Sequence, residues 1–195
     1  KMSKQALVPI ADGTEEIEAV TIIDLLRRAG VDVTVASVSE QSELKITAAR
    51  GTCIVADCAV EDCVGQSWDL IALPGGVTGS EALAGCDRLD KLLRQQVSGD
   101  KLFAAICAAP ALVLGAKGFL GDRTATCHPK FHQSLLAKEV DVESRVVVDG
   151  KCVTSQGPAT AIDFSLELVE QLCGVVKREE VASALVLTTS ATAYY

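Results

Sequence analysis

The chain has 195 residues, 49% of them hydrophobic and only 4% aromatic, and a formal net charge of −8. That length supports one domain around an aliphatic core, and the acidic balance argues against nucleic acid or an anionic membrane as a main partner. No apolar run reaches membrane-spanning length, and the eight cysteines, with no Cys-x-x-Cys pair, read as reduced intracellular thiols rather than a disulfide framework.

The start, Lys1-Met2-Ser3-Lys4, leads directly into a strand, so no signal peptide is expected, and Lys1 before Met2 reads as an expression remnant. Ala6–Ile10 is the first predicted strand, with Pro9 as an objection because proline removes a ladder donor. Asp12 is expected to cap the first helix, with Glu15 reaching back. That helix should run to about Ala29, with Gly30 just past its end. Val31, Val33 and Val35 alternate with polar residues and predict a second strand. Residues 42–65 fit short strands or a hairpin. They contain Cys53, Cys58 and Cys63 at a spacing of five, with no histidine to complete a zinc site.

Trp68–Leu73 is the next strand, ending in Pro74-Gly75-Gly76. Ser80–Val97 predicts a helix interrupted near Gly85. Leu102–Ile106 is a continuous apolar run, as expected for a strand buried on both faces. A helical segment, Ala109–Ala116, follows it. Arg145–Val148 and Lys151–Thr154 flank Asp149-Gly150, a type I′ hairpin signal. Thr160–Leu172 predicts a helix closed by Gly174, and Glu180–Leu187 a last short one. This order implies a single α/β domain over 1–195, with a mostly parallel sheet covered by helices on both faces.

Cys107 falls on the turn between the Leu102–Ile106 strand and the next helix. Ala105, Ala108 and Ala109 around it are small, as a sharp strand–nucleophile–helix turn demands, and Pro110 suits a first helical turn. Free N–H groups and the helix dipole there would favour a thiolate, while a buried structural cysteine would sit equally well. The first helix adds a second clue. At about 100° per residue, Ile17, Leu25, Ala29, Ile22 and Leu26 share one arc, and Glu18 falls inside it. Asp24 and Arg28 fall opposite, and Glu16 on the flank. A carboxyl on an apolar face is either a proton carrier with a raised pKa or a rim residue whose head reaches water.

Gly75 and Gly76 are a third clue. They end a strand at the side of a parallel sheet where ligands bind, and their N–H groups would suit an oxyanion, or an ordinary tight turn. His128, before Pro129, is a candidate to orient or protonate a substrate, or a plain loop histidine. Cys127, His128 and His132 make a poor metal set, because Pro129 breaks the helical spacing.

Ala11-Asp12-Gly13-Thr14-Glu15-Glu16-Ile17-Glu18, Leu73-Pro74-Gly75-Gly76, Ala104-Ala105-Ile106-Cys107-Ala108-Ala109-Pro110 and Thr154-Ser155-Gln156-Gly157-Pro158 resemble the DJ/ThiJ/PfpI superfamily, in its branch of the parkinsonism-associated protein deglycase and bacterial YajL. The resemblance covers nearly the whole chain, and Gln156 stands closer to the bacterial type. It implies a flavodoxin-like three-layer sandwich, a homodimer and a cytoplasmic setting. It implies Cys107 as nucleophile, Glu18 hydrogen-bonded to its sulfur, His128 as the site histidine, and N–H groups of Gly75, Gly76 and Ala108 as the oxyanion site. Related proteases carry histidine directly after the cysteine, and Ala108 in that place argues against proteolysis.

The resemblance further implies a glyoxalase and protein deglycase that uses neither cofactor nor metal. Its substrates would be methylglyoxal, glyoxal or their adducts on glycated proteins. The same cysteine suits an oxidative-stress sensor and redox-regulated chaperone. Thiazole synthesis for thiamine attaches to the superfamily by name, with no phosphate cradle here to support it.

Overall fold

The computed structural model describes residues 3–39 and 43–187. In chain order they form β1 (Gln5–Ile10), α1 (Glu16–Arg28), β2 (Asp32–Ser37), β3 (Lys45–Thr47), β4 (Cys53–Val55), β5 (Cys58–Ala59), β6 (Leu70–Leu73), α2 (Val77–Gly85), α3 (Asp87–Ser98), β7 (Leu102–Ile106), β8 (Thr124–Ala125), β9 (Glu139–Val140), β10 (Val146–Asp149), β11 (Cys152–Ser155), α4 (Ala161–Cys173) and α5 (Val175–Ala184). A seven-stranded sheet in the order β10-β11-β7-β6-β1-β2-β5 is parallel throughout except for β10. This is the expected doubly wound α/β sandwich. No helix among the described residues is long and apolar enough to cross a membrane.

The strands are apolar on both faces because helices cover both. On one face Val8, Ile10, Ala72, Ala104 and Ile106 pack against Ile22 and Leu26 of α1 and Phe164 and Leu168 of α4. On the other, Leu7, Ile71, Leu73, Phe103 and Ala105 meet Leu83 of α2, Leu89 and Leu93 of α3, and Leu114. Central β7 is buried at every position, so its end is fixed on all sides before any loop is added.

Pro9 is tolerated inside the sheet for a local reason. The carbonyl of Gln5 accepts from Asp69 beside β6, and that of Ile10 from Val38 beyond β2. Odd-numbered residues of β1 therefore face β6. The β1–β6 register ends at Leu7 and Ile71, so the N–H missing at Pro9 points past the last paired residue.

Several boundaries differ from expectation. The cap of α1 is Glu15, whose Oε2 accepts the Glu18 N–H at 2.9 Å. Asp12 instead accepts the Thr47 N–H at 2.6 Å, tying the loop after β1 to the β3–β4 hairpin. Ile17 is 55% exposed, so the apolar arc of α1 is centred nearer Glu18 than the wheel placed it. The interruption near Gly85 is real: Cys86 leaves helical geometry and caps α3. In the β10–β11 hairpin only Gly150 has positive φ, so the turn is not type I′, which needs two such residues. Helix α5 begins at Val175, well before Glu180. The part of the expected 42–65 region at residue 42 and the end of the chain from 188 lie outside the described residues.

Candidate active site

Cys107 follows the last residue of β7 with φ of +65°, in the left-handed region that non-glycine residues avoid. The turn is held on both sides. Its N–H donates to the Ser155 carbonyl at 3.0 Å, and its carbonyl accepts from the His128 N–H at 2.8 Å. Ala105, Ala108 and Ala109 are fully buried around it, and larger side chains would not fit so sharp a bend. The segment after it, Pro110–Gly115, is a wide helical turn, with Ala116 N–H bonded to the Ala111 carbonyl five residues back.

Glu18 lies beneath this turn with no exposed surface. The rim reading is thereby excluded. Its Oε2 accepts the Gly75 N–H at 2.8 Å, its Oε1 has no hydrogen-bond partner, and the carboxyl lies close enough to the Cys107 sulfur for each to shift the other's pKa. Burial raises the Glu18 pKa to about 7, against the pull of the Gly75 N–H, with the neighbouring Glu15 charge adding to the rise. For Cys107, burial and then the Glu18 charge push the thiol up to about 12, while the N–H groups of Gly76 and Ala108 pull it down. Burial and the Glu18 charge thus work against the depressed thiol expected from the turn. While Glu18 is ionised, the proton the two groups share sits on sulfur.

Of the three expected oxyanion donors, Gly76 and Ala108 face the sulfur. Gly75 does not serve, since its N–H is taken by Glu18. Gly76 must be glycine. Its φ is +86°, and a Cβ there would stand 2.2 Å from the Gly13 carbonyl oxygen. Gly75 is as tightly set, because a Cβ would fall 2.5 Å from the Cys107 Cβ.

A cavity of about 480 Å³ opens over the cysteine, its walls including Glu15, Arg50, Gly76, Cys107, His128 and Lys130. His128 is brought there by the Thr154–Pro158 motif: Thr154 Oγ1 accepts the Thr126 N–H at 2.9 Å, and Gly157 lies beside the imidazole. Nδ1 of His128 accepts the Lys130 N–H at 3.2 Å, which leaves the proton of the neutral ring on Nε2. Burial lowers its pKa, helped by the charges of Lys130 and His132. His132 turns to the Cys127 carbonyl at 3.1 Å instead of toward the cavity. Arg50 and Lys130 were not singled out from the sequence, and Glu15 was read there only as part of the cap of the first helix. Arg50 arrives through the β3–β4 hairpin, where its N–H donates to the Glu16 carboxylate at 2.9 Å, and no local pattern announces that pairing.

The DJ-1/PfpI family profile matches residues 4–171. The chain belongs to this family. It is 49% identical over 185 residues to protein DJ-1 homolog B of Arabidopsis thaliana, covering 95% of this chain but 42% of the plant protein, so it spans less than half of that relative. It is 34% identical over 186 residues to the glutathione-independent glyoxalase DJR-1.2 of Caenorhabditis elegans, covering 94% of this chain and 97% of the relative. The solved structure of oxidized Toxoplasma gondii DJ-1 superposes with a TM-score of 0.91 at 40% identity, covering 94% of this chain and 98% of that one. The DJ-1 membership and the flavodoxin-like fold agree with what the four sequence motifs implied.

Proposed function

We propose that this chain is a glutathione-independent glyoxalase, with the related deglycase activity, acting on methylglyoxal and glyoxal or their protein adducts. The observation that carries the reading is the fully buried Glu18 carboxyl, titrating near neutrality and set against the Cys107 sulfur on its strained turn. A thiol held protonated needs a base beside it, and an ionised Glu18 is that base. As the sulfur adds to the aldehyde carbon, the S–H proton passes to Glu18 and on to the new alkoxide. Gly76 and Ala108 N–H groups stabilise the developing oxyanion. Glu18 then removes the proton from the former aldehyde carbon, and the enediol is reprotonated at the neighbouring carbon. Water releases the resulting thioester as lactate or glycolate and restores the thiol. His128, neutral with Nε2–H, donates to substrate oxygen. The name of the Caenorhabditis relative supports the substrate class.

The test is lactate formation from methylglyoxal without glutathione. Cys107→Ala should abolish it, and undiminished turnover in that variant would sink the assignment. A homodimer belongs to the same reading, for which exposed Ile17, Val20 and Val55 offer apolar surface. An oxidative sensor is the second reading. The Gly76 and Ala108 N–H groups facing sulfur would equally hold the oxygens of a sulfinate. Peroxide titration with peptide mass spectrometry decides it, and Cys107 oxidising no faster than the other thiols would end it.

A further inference from the structure

Cys58 begins β5, the two-residue strand at the edge of the sheet, and Cys63 ends the short helical turn Val60–Cys63 behind it. Their sulfurs are 3.7 Å apart, the one sulfur–sulfur contact among the described residues. Cys58 is partly open to solvent, and Cys63 is fully buried. We propose that peroxide converts Cys58 and Cys63 into a reversible intramolecular disulfide, a redox site independent of Cys107.

The unequal burial sets the order of events. Peroxide reaches Cys58, whose sulfur attacks one oxygen. An S–O bond forms, the O–O bond breaks, and the thiol proton leaves with the departing oxygen as water. Cys58 is then a sulfenic acid. Cys63 is already in contact. Its sulfur attacks Cys58, the S–S bond forms, the S–O bond breaks, and its proton leaves with the hydroxide as a second water. Two thiols and one hydrogen peroxide give one disulfide and two waters, and the peroxide takes both electrons. Burial and the neighbouring Cys58 push the Cys63 thiol up to about 12, so Cys63 is not the sulfur that peroxide oxidises first.

Closing the gap to a bond of about 2.0 Å asks for a small movement, and β5 is paired to the sheet only through β2. Cys107 takes no part. Strands β2, β1 and β6 lie between β5 and β7, a separation of about 19 Å at the usual strand spacing.

The experiment treats the whole chain with hydrogen peroxide, blocks free thiols with N-ethylmaleimide and cleaves after glutamate. Cuts at Glu43, Glu61 and Glu81 put Cys58 on fragment 44–61 and Cys63 on fragment 62–81. The expected product is these two fragments joined, lighter by two hydrogens than their sum, with fragment ions placing the link at Cys58. Dithiothreitol should separate them, Cys107→Ser should retain the link, and the chain should run as a monomer on a non-reducing denaturing gel. Full maleimide labelling of Cys58 and Cys63 after peroxide, a link through Cys53, a link between chains, or loss of the link in Cys107→Ser each overturns the proposal.

Discussion

Glu18 Oε2 accepts the N–H of Gly75 at 2.8 Å, so the turn after β6 is locked to a buried side chain of α1. Added atoms on this turn have nowhere to go. A Cβ at Gly75 would stand 2.7 Å from Glu18 Oε2 and 2.9 Å from the Ile106 carbonyl, and one at Gly76 would meet backbone. Gly75→Ala and Gly76→Ala should each destabilise by about 3 kcal/mol or more. Gly85→Ala, where a Cβ meets nothing within 4 Å, should stay within about 0.5 kcal/mol of wild type. Urea midpoints check both, and equal midpoints for Gly76→Ala and Gly85→Ala would refute the steric argument.

Glu18→Gln should separate stability from activity. The folded pKa of about 7 lies above the ordinary value of 4.5. Between those two values the folded chain holds a proton that the unfolded chain has lost. Wild-type stability therefore falls as pH rises through this window, by about 3 kcal/mol when complete. Glutamine carries no such cost and keeps an oxygen for the Gly75 N–H. The variant should match wild type near pH 4 and exceed it above pH 7 in denaturant titrations. Its turnover of methylglyoxal should fall about a hundredfold or more, because the base is gone. A variant no more stable at pH 8 would show that Glu18 is not raised.

The same carboxylate governs the thiol. Its charge and its acceptance of the S–H both push the Cys107 pKa upward. Glu18→Gln removes the charge and places an amide donor beside the sulfur. The midpoint of the pH profile for Cys107 alkylation by iodoacetamide should therefore move to lower pH than in wild type. Movement to higher pH would mean that Glu18 normally carries the proton and donates it to a thiolate.

Much of this was legible because it is local or periodic. The apolar run Leu102–Ile106, the small residues around Cys107 and the position of Glu18 within the apolar arc of α1 each follow from spacing alone, and the family motifs agree with them. What stayed hidden depends on contacts between distant segments. Asp12 looks like a helix cap until the β3–β4 hairpin offers the Thr47 N–H. Gly75 looks like a free donor until Glu18 arrives from 57 positions away. The thiol looks activated until burial and the nearby carboxylate are weighed against two N–H groups. Arg50 and Lys130 reach the cavity on loops with no period to betray them.

His128 supplies the last prediction. Burial, with Lys130 and His132, lowers its pKa, so the ring is neutral at pH 7 and its acid limb lies below that of Glu18. Its Nδ1 is occupied by the Lys130 N–H, and it caps the turn Pro129–Ser134. Alanine would remove that cap as well as the Nε2 donor, whereas His128→Asn keeps an acceptor suited to a cap and loses only the imidazole. With Glu18 and Cys107 untouched, His128→Asn should lower turnover about tenfold to a hundredfold while leaving Cys107 alkylation within about threefold of wild type. The rise of turnover with pH should keep its midpoint near 7, because that limb belongs to Glu18. A midpoint that vanishes in His128→Asn would transfer the proton-carrying role from the carboxylate to the histidine, and turnover equal to wild type would remove His128 from the chemistry.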